Sequence, residues 1–218
     1  MSRPVSFGYK MAWLAIRSDS PDRVIEQLDI AEATPTPWEN GVDALYSSTS
    51  LTEHPIYVTP SLDGWVLAAS PAYFEEASDT DPERLARFVT DLASRLGAEV
   101  QFFATHRVVE GHAWARADET GLRRAYYYLG EVGECLLDRG GKTPVEETLH
   151  CLEAGSSEGA DEEAVVSVAG AWSVDPTRLE HRPPDVADGA LGKVTVSSNE
   201  FPPESRQTPA PKQWWKFW

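Results

Sequence analysis

Cysteine is scarce in this sequence. The 218 residues hold two, Cys135 and Cys151, too far apart for a CxxC motif and too few for a disulfide framework. They are expected to be buried thiols in a reducing compartment. Long apolar runs are missing as well. The longest, Met11 to Ile16, falls far short of the roughly 20 residues that span a bilayer, and MSRPVSFGYK has no apolar stretch of signal-peptide type. The expectation is a cytoplasmic protein. Basic residues are outnumbered, 19 against 35 acidic ones, for a net charge of −16. A field of that sign repels phosphate backbones and argues against nucleic acid as a partner. Phosphate-cradling loops of GxxxxGK[ST] or GxGxxG type are absent, as is a GxSxG nucleophile elbow. No cofactor is expected from these motifs.

Aromatic residues, by contrast, are plentiful: eight Trp, seven Tyr and seven Phe. They supply large buried areas, and each indole N–H or phenol O–H needs a partner inside the fold. With 41% hydrophobic and 25% charged residues, the chain has enough apolar material for a core without covalent staples.

A small polar residue followed by proline recurs at Ser20-Pro21, Thr36-Pro37, Asp81-Pro82, Thr143-Pro144 and Asp175-Pro176. Such pairs open helices, since the polar side chain accepts a first-turn N–H and proline needs none. Thr143 and Glu146 also have capping-box spacing. Helices are predicted at Pro21–Leu28, Pro37–Tyr46, Pro82–Leu96, Pro144–Leu152 and Glu162–Trp172. The third is the clearest, with Leu85, Phe88, Val89, Leu92 and Leu96 on one face and Gly97 as its stop. Gly41 weakens the second. Strands are predicted at Tyr9–Arg17, Ile56–Thr59 and Trp65–Ser70, then at Glu99–Arg107, Gly111–Ala117, Leu122–Gly130 and Glu134–Asp138. Short turns make the last four an antiparallel meander. In Tyr126-Tyr127-Tyr128, strand alternation sends Tyr127 to one face and its neighbours to the other. The fold class is therefore α+β: a mostly antiparallel sheet of about seven strands, with helices packed mainly on one face. One acidic domain is expected over residues 1–196, with an acidic loop at Gly155–Gly159.

Composition changes after Val196. Residues 197–211 are rich in Ser and Pro, the makeup of a flexible linker. An aromatic motif follows at 212–218, with Trp214, Trp215, Lys216, Phe217 and Trp218 as candidate binding residues. Large aromatics on such a linker need a surface to cover them. Three destinations are open: a groove on this domain or a twin subunit, an apolar pocket on a partner protein, or weak, reversible contact with a lipid interface.

Catalytic candidates are few. His106 and His112 flank a meander turn with Glu110 between them, a set that could serve acid–base chemistry or bind a metal. Their spacing matches no zinc signature, and half-buried sheet histidines are the structural alternative. Cys151 beside His150 does not form a nucleophile pair on a helix, where sequence neighbours diverge by about 100°.

The segments Phe7–Trp13, Val58–Pro60 with Asp63–Trp65, Val100–Phe103 with His112–Ala115, Gly121–Tyr126 and Trp172–Pro176 give the chain a resemblance to a group of uncharacterised bacterial proteins. It spans residues 7 to about 180. The resemblance implies a bacterial origin and a single domain there, and carries over no functional residue. The functional expectation is a non-enzymatic protein–protein interaction protein, of immunity or adaptor type, whose negative charge suits a basic protein partner. The rival is an enzyme built on His106, Glu110 and His112. A third reading makes the aromatic tail an address to a membrane surface or assembly.

Overall fold

The computed structural model describes residues 2–50, 53–152, 159–183 and 187–195. The predicted linker at 197–211, the aromatic motif at 212–218 and most of the predicted loop at 155–159 lie outside the described residues.

Strand formation follows the turn chemistry. β1 (Ala12–Arg17), β2 (Ala31–Thr36), β3 (Glu53–Val58), β4 (Trp65–Ala69), β5 (Val100–His106), β6 (Gly111–Asp118), β7 (Gly121–Leu129), β8 (Glu134–Arg139) and β9 (Gly189–Thr195) make one sheet. Its spatial order is β2-β9-β3-β4-β1-β5-β6-β7-β8, and every neighbouring pair is antiparallel. The meander β5-β6-β7-β8 and the β3–β4 hairpin are as the turns predict. Nine strands replace the expected seven or so, because β2 and β9 add a pair beside β3.

The four α-helices of the described residues are α1 (Pro21–Gln27), α2 (Trp38–Ser47), α3 (Glu83–Leu96) and α4 (Glu162–Trp172). Ser20 caps α1 by accepting from Arg23 N, and Asp161 caps α4 by accepting from Ala164 N. Gly97 ends α3 in the left-handed conformation, φ 58°, which costs glycine little. Ser70 and Asp175 do the same capping work ahead of short 3₁₀ helices at Pro71–Glu76 and Pro176–His181. The helix expected over Pro144–Leu152 is instead two short 3₁₀ turns, Glu146–Thr148 and His150–Leu152. Glu146 turns back to accept from Thr143 N at 2.9 Å, and Leu149 already leaves the first turn in extended conformation.

The placement of helices on mainly one face is corrected by the packing. One core, containing Leu14, Ile16, Val66, Phe102 and Ala115, lies under α1, α3 and Tyr73. A second, containing Trp13, Leu67, Phe103 and Trp114, lies under α2 and α4. The sheet is thus the middle of three layers. β1 and β4 are buried almost throughout, and β5 up to Thr105. Strands covered on both faces read as continuous apolar runs, which is what AWLAI and WVLAA are.

The aromatic core is organised by ring contacts. Trp13 stacks on Phe103 at 5.3 Å and Trp114 on Tyr126 at 4.4 Å. Trp38, Trp114 and Trp172 donate to Ala187 O, Glu146 Oε1 and Thr143 Oγ1, respectively. The expectation of buried thiols fails at Cys135, which is exposed on β8, an edge strand of the sheet among the described residues. Cys151 is half-buried.

Candidate functional site

Alternation along paired strands decides the fate of the predicted His–Glu–His set. On β5, Phe102 and Ala104 face the α3 layer and Phe103 faces the α4 layer. His106 therefore points to the α3 side, where its ring meets Phe74 edge-on at 5.0 Å. His112 lies opposite Thr105 on β6, next to Trp114, and so points to the α4 side, where Glu162 and Asp161 act on it. The two imidazoles occupy opposite faces of the sheet. Glu110 sits exposed in the β5–β6 turn with φ 51°, its side chain folded against Gly130. The structure does not bring these three residues to one point, and among the described residues no group of three His, Cys, Asp or Glu converges on a possible metal position.

His106 does belong to a cleft. A cavity of about 910 Å³ opens where β5 ends and β1, β3 and β6 begin, between the 3₁₀ helix at Pro71–Glu76 and the end of α2. This is within the range of binding clefts. Its wall combines Met11, Phe74, Ala104 and Val109 with His54, His106, Glu75, Asp79, Lys10 and Arg107. Arg107 is engaged, donating Nε to Glu162 at 2.9 Å. Lys10 lines the cleft at φ 52°, and Glu110, next to Val109, is also left-handed. Such a conformation costs a non-glycine residue about 1 kcal/mol or more and tends to gather at functional sites.

The rim is unusual in its exposed apolar content. Among the described residues the exposed large hydrophobic side chains are Tyr9 (37%), Tyr46 (48%), Val108 (58%) and Val132 (56%). Tyr46 and Val108 line the cleft. Tyr9 adjoins it, since its backbone carbonyl accepts from Tyr46 Oη at 2.8 Å. Tyr46 and Val108 thus stand in the cleft, with Tyr9 beside it, its hydroxyl donating to Glu163 on α4; Val132, in the β7–β8 turn, is at the same end of the sheet but outside the cleft wall.

No family model, curated protein or solved structure matches this chain. Function must be read from the site itself.

Sequence reasoning singled out His106, which lines the cleft, only as part of a set with Glu110 and His112, and it missed the cleft, because strand ends and turns far apart in the chain assemble it. It also missed a buried polar network on the α4 face. There Arg124 and Glu146 are both 0% exposed. Glu146 accepts from Arg124 Nε at 2.7 Å and Trp114 Nε1 at 2.8 Å through one oxygen, and from Thr143 N and Oγ1 through the other. Arg124 also donates to Asp138 and to the carbonyls of Ala125 and Arg139. These bonds leave Glu146 no room for substrate, so the network holds structure. The capping-box spacing of Thr143 and Glu146 was its visible half.

Titratable groups of the cleft, and His112 on the opposite face of the sheet, respond to burial. Loss of solvent holds His54, His106 and His112 below the ordinary histidine range, and at His106 the Lys10 charge adds to it. Burial also pushes Tyr127 up to about 12 and raises the Glu75 carboxyl. A histidine with a depressed folded pKa takes its proton first in the unfolded chain. Stability is therefore lost as pH falls below about 6.5, the unfolded value, toward the folded one. Glu75 has the opposite sign: as pH falls from its raised folded value toward about 4.3, protonation favours the folded state. The urea midpoint is expected to be lower at pH 5.5 than at pH 7.5, with part of the difference removed by His112→Gln. A midpoint that does not move over this range would contradict the burial of these rings.

Proposed function

We propose that the protein is a non-catalytic interaction protein, of bacterial immunity or adaptor type, whose end-of-sheet cleft takes apolar side chains from a protein partner. The observation that carries this is the placement of exposed Tyr46 and Val108 in the wall of a cleft that also presents Met11, Phe74, Ala104 and Val109. Interfaces are marked by aromatic residues in a desolvated centre and charges at the edge, and Lys10, Glu75, Asp79 and Arg107 stand among the apolar groups here. A body of net charge −16 steers a basic partner toward contact.

The test is selection from a displayed random-peptide library. The bait is the full chain carrying Trp214→Ala, Trp215→Ala, Phe217→Ala and Trp218→Ala, which keeps its own aromatic end from competing. Aromatic peptides with micromolar affinity are expected to emerge. Val108→Asp, at an exposed position with little effect on folding, is expected to weaken them about tenfold or more, the scale of placing a charge in an apolar contact. For peptides that also carry lysine, the association rate is expected to fall about tenfold or more from low to high salt. Failure to enrich any peptide, or binding indifferent to Val108→Asp, would remove the cleft from the reading.

A further inference from the structure

We infer that the resident occupant of the cleft is the chain's own aromatic segment, Trp214–Trp218, folded back in cis and displaced when a partner binds. This rests on the reading of the cleft as an acceptor of apolar side chains, and adds the identity of its occupant.

The described residues end at Thr195, the last residue of β9. β9 runs antiparallel to β3, with Val194 opposite His54 and Thr195 opposite Glu53. His54 lines the cleft. The backbone therefore leaves the sheet at the cleft's lip, whereas a departure from the other end of β9 would have left it near Gly189, opposite Thr36 on β2.

Residues 196–211 separate this exit from the aromatic motif. Sixteen residues of flexible composition have a mean reach of roughly 20–24 Å, enough to turn back into a cleft that begins beside the exit. A tether of that length gives an effective concentration on the order of 1 mM. Against an intrinsic dissociation constant of about 0.1 mM, such a concentration fills the cleft in roughly ten of eleven molecules. Strong intrinsic binding is not required.

The segment and the cleft also match chemically. The motif 212–218 offers three Trp and one Phe with two Lys and no Asp or Glu, on a chain of net charge −16. The cleft offers Val108, Val109, Phe74 and Tyr46 to rings and Glu75 and Asp79 to lysines. Of its two cations, Arg107 is already held by Glu162.

The experiment uses full-length protein and a fluorescein-labelled peptide of residues 212–218. The peptide is expected to bind the chain carrying the four alanine substitutions with a dissociation constant of about 0.1 mM, and wild type about tenfold more weakly, because wild type is already filled. Val108→Asp in the substituted chain should weaken it about tenfold or more. Amide exchange over residues 46–50 and 104–111 should be slower in wild type than in the substituted chain, at micromolar protein that sedimentation shows to be monomeric.

Equal peptide binding by both chains would overturn the inference, as would no peptide binding to a bait that still enriches library peptides; in either case the cleft remains a partner site. Protection seen only in a dimer would place the segment in a second copy and overturn the cis arrangement. Co-sedimentation of wild type with phosphatidylcholine–phosphatidylserine vesicles through these residues, with an unprotected cleft, would also overturn it. If the substituted chain binds neither library peptides nor the tail peptide, the inference and the cleft reading fail together.

Discussion

Glu146→Ala is expected to lower stability by about 3–5 kcal/mol, the scale of removing one partner from a fully buried ion pair. For a chain of this size that corresponds to a melting temperature lower by about 6–20 °C. The loss comes from the donors left behind. Arg124 Nε, Trp114 Nε1, Thr143 N and Thr143 Oγ1 all converge on this carboxylate. Arg124 is 0% exposed and would keep its charge, with only Asp138, itself half-exposed, as a compensating anion. Glu146→Gln separates charge from shape. Its amide oxygen can serve Arg124 and Trp114, but its NH₂ then faces the Thr143 N–H, donor against donor, so an intermediate loss is expected. The check is urea denaturation of the three proteins. A loss under about 1 kcal/mol for the alanine variant, the scale of an exposed ion pair, would show that the pair is solvated.

Half of this network was legible beforehand. The Thr143/Glu146 spacing marks a capping box, and the reciprocal bond is present. Nothing local announces that the same carboxylate meets Arg124, 22 residues earlier in the chain. The link depends on β7 placing Arg124 and β6 placing Trp114 on one face, a tertiary fact. The same division runs through the fold. α3 and the four-stranded meander were readable because periodicity, Gly97 and short turns are local signals. The split of Tyr126 and Tyr127 between the two cores followed from alternation alone.

β2 and β9 were not readable, for a physical reason. β2, AEATPT, is a mostly exposed edge strand with Pro35 inside it and a register shift. It carries no apolar alternation, and proline is tolerated because the strand is at the edge. In β9, Gly189 and Gly192 suggest a loop, yet both are there because neighbours press close: Tyr57 at the first and Ile30 and the β2 backbone at the second. The two-faced core had a signal that went unused. MAWLAI is too continuously apolar for a sheet with one wet face. The cleft had none, because its exposed apolar residues come singly from the end of α2 and from a separate turn.

Gly41→Ala is expected to destabilise by about 1–3 kcal/mol or more, although it places a better helix former in α2. On propensity alone the change should gain nearly 1 kcal/mol, the sense in which Gly41 weakens this helix. Packing reverses the sign. A Cβ at residue 41 would lie 2.2 Å from two ring carbons of Tyr57, a fully buried side chain. The ring has nowhere to retreat. Trp38 meets it at 5.6 Å, Gly189 is also bare because the Tyr57 ring end occupies its Cβ position, and the hydroxyl is held between Gly189 N and Thr36 O. Either α2 lifts from β3 or Tyr57 leaves its rotamer and drops its hydrogen bonds. A double-mutant cycle isolates the cause: in a Tyr57→Leu background the smaller side chain should make room, and the alanine should cost less or become favourable. If Gly41→Ala proves stabilising in the parent chain, helix α2 does not pack on Tyr57 as the structure has it, and the joint between α2, β3 and β9 at this end of the sheet would need to be redrawn.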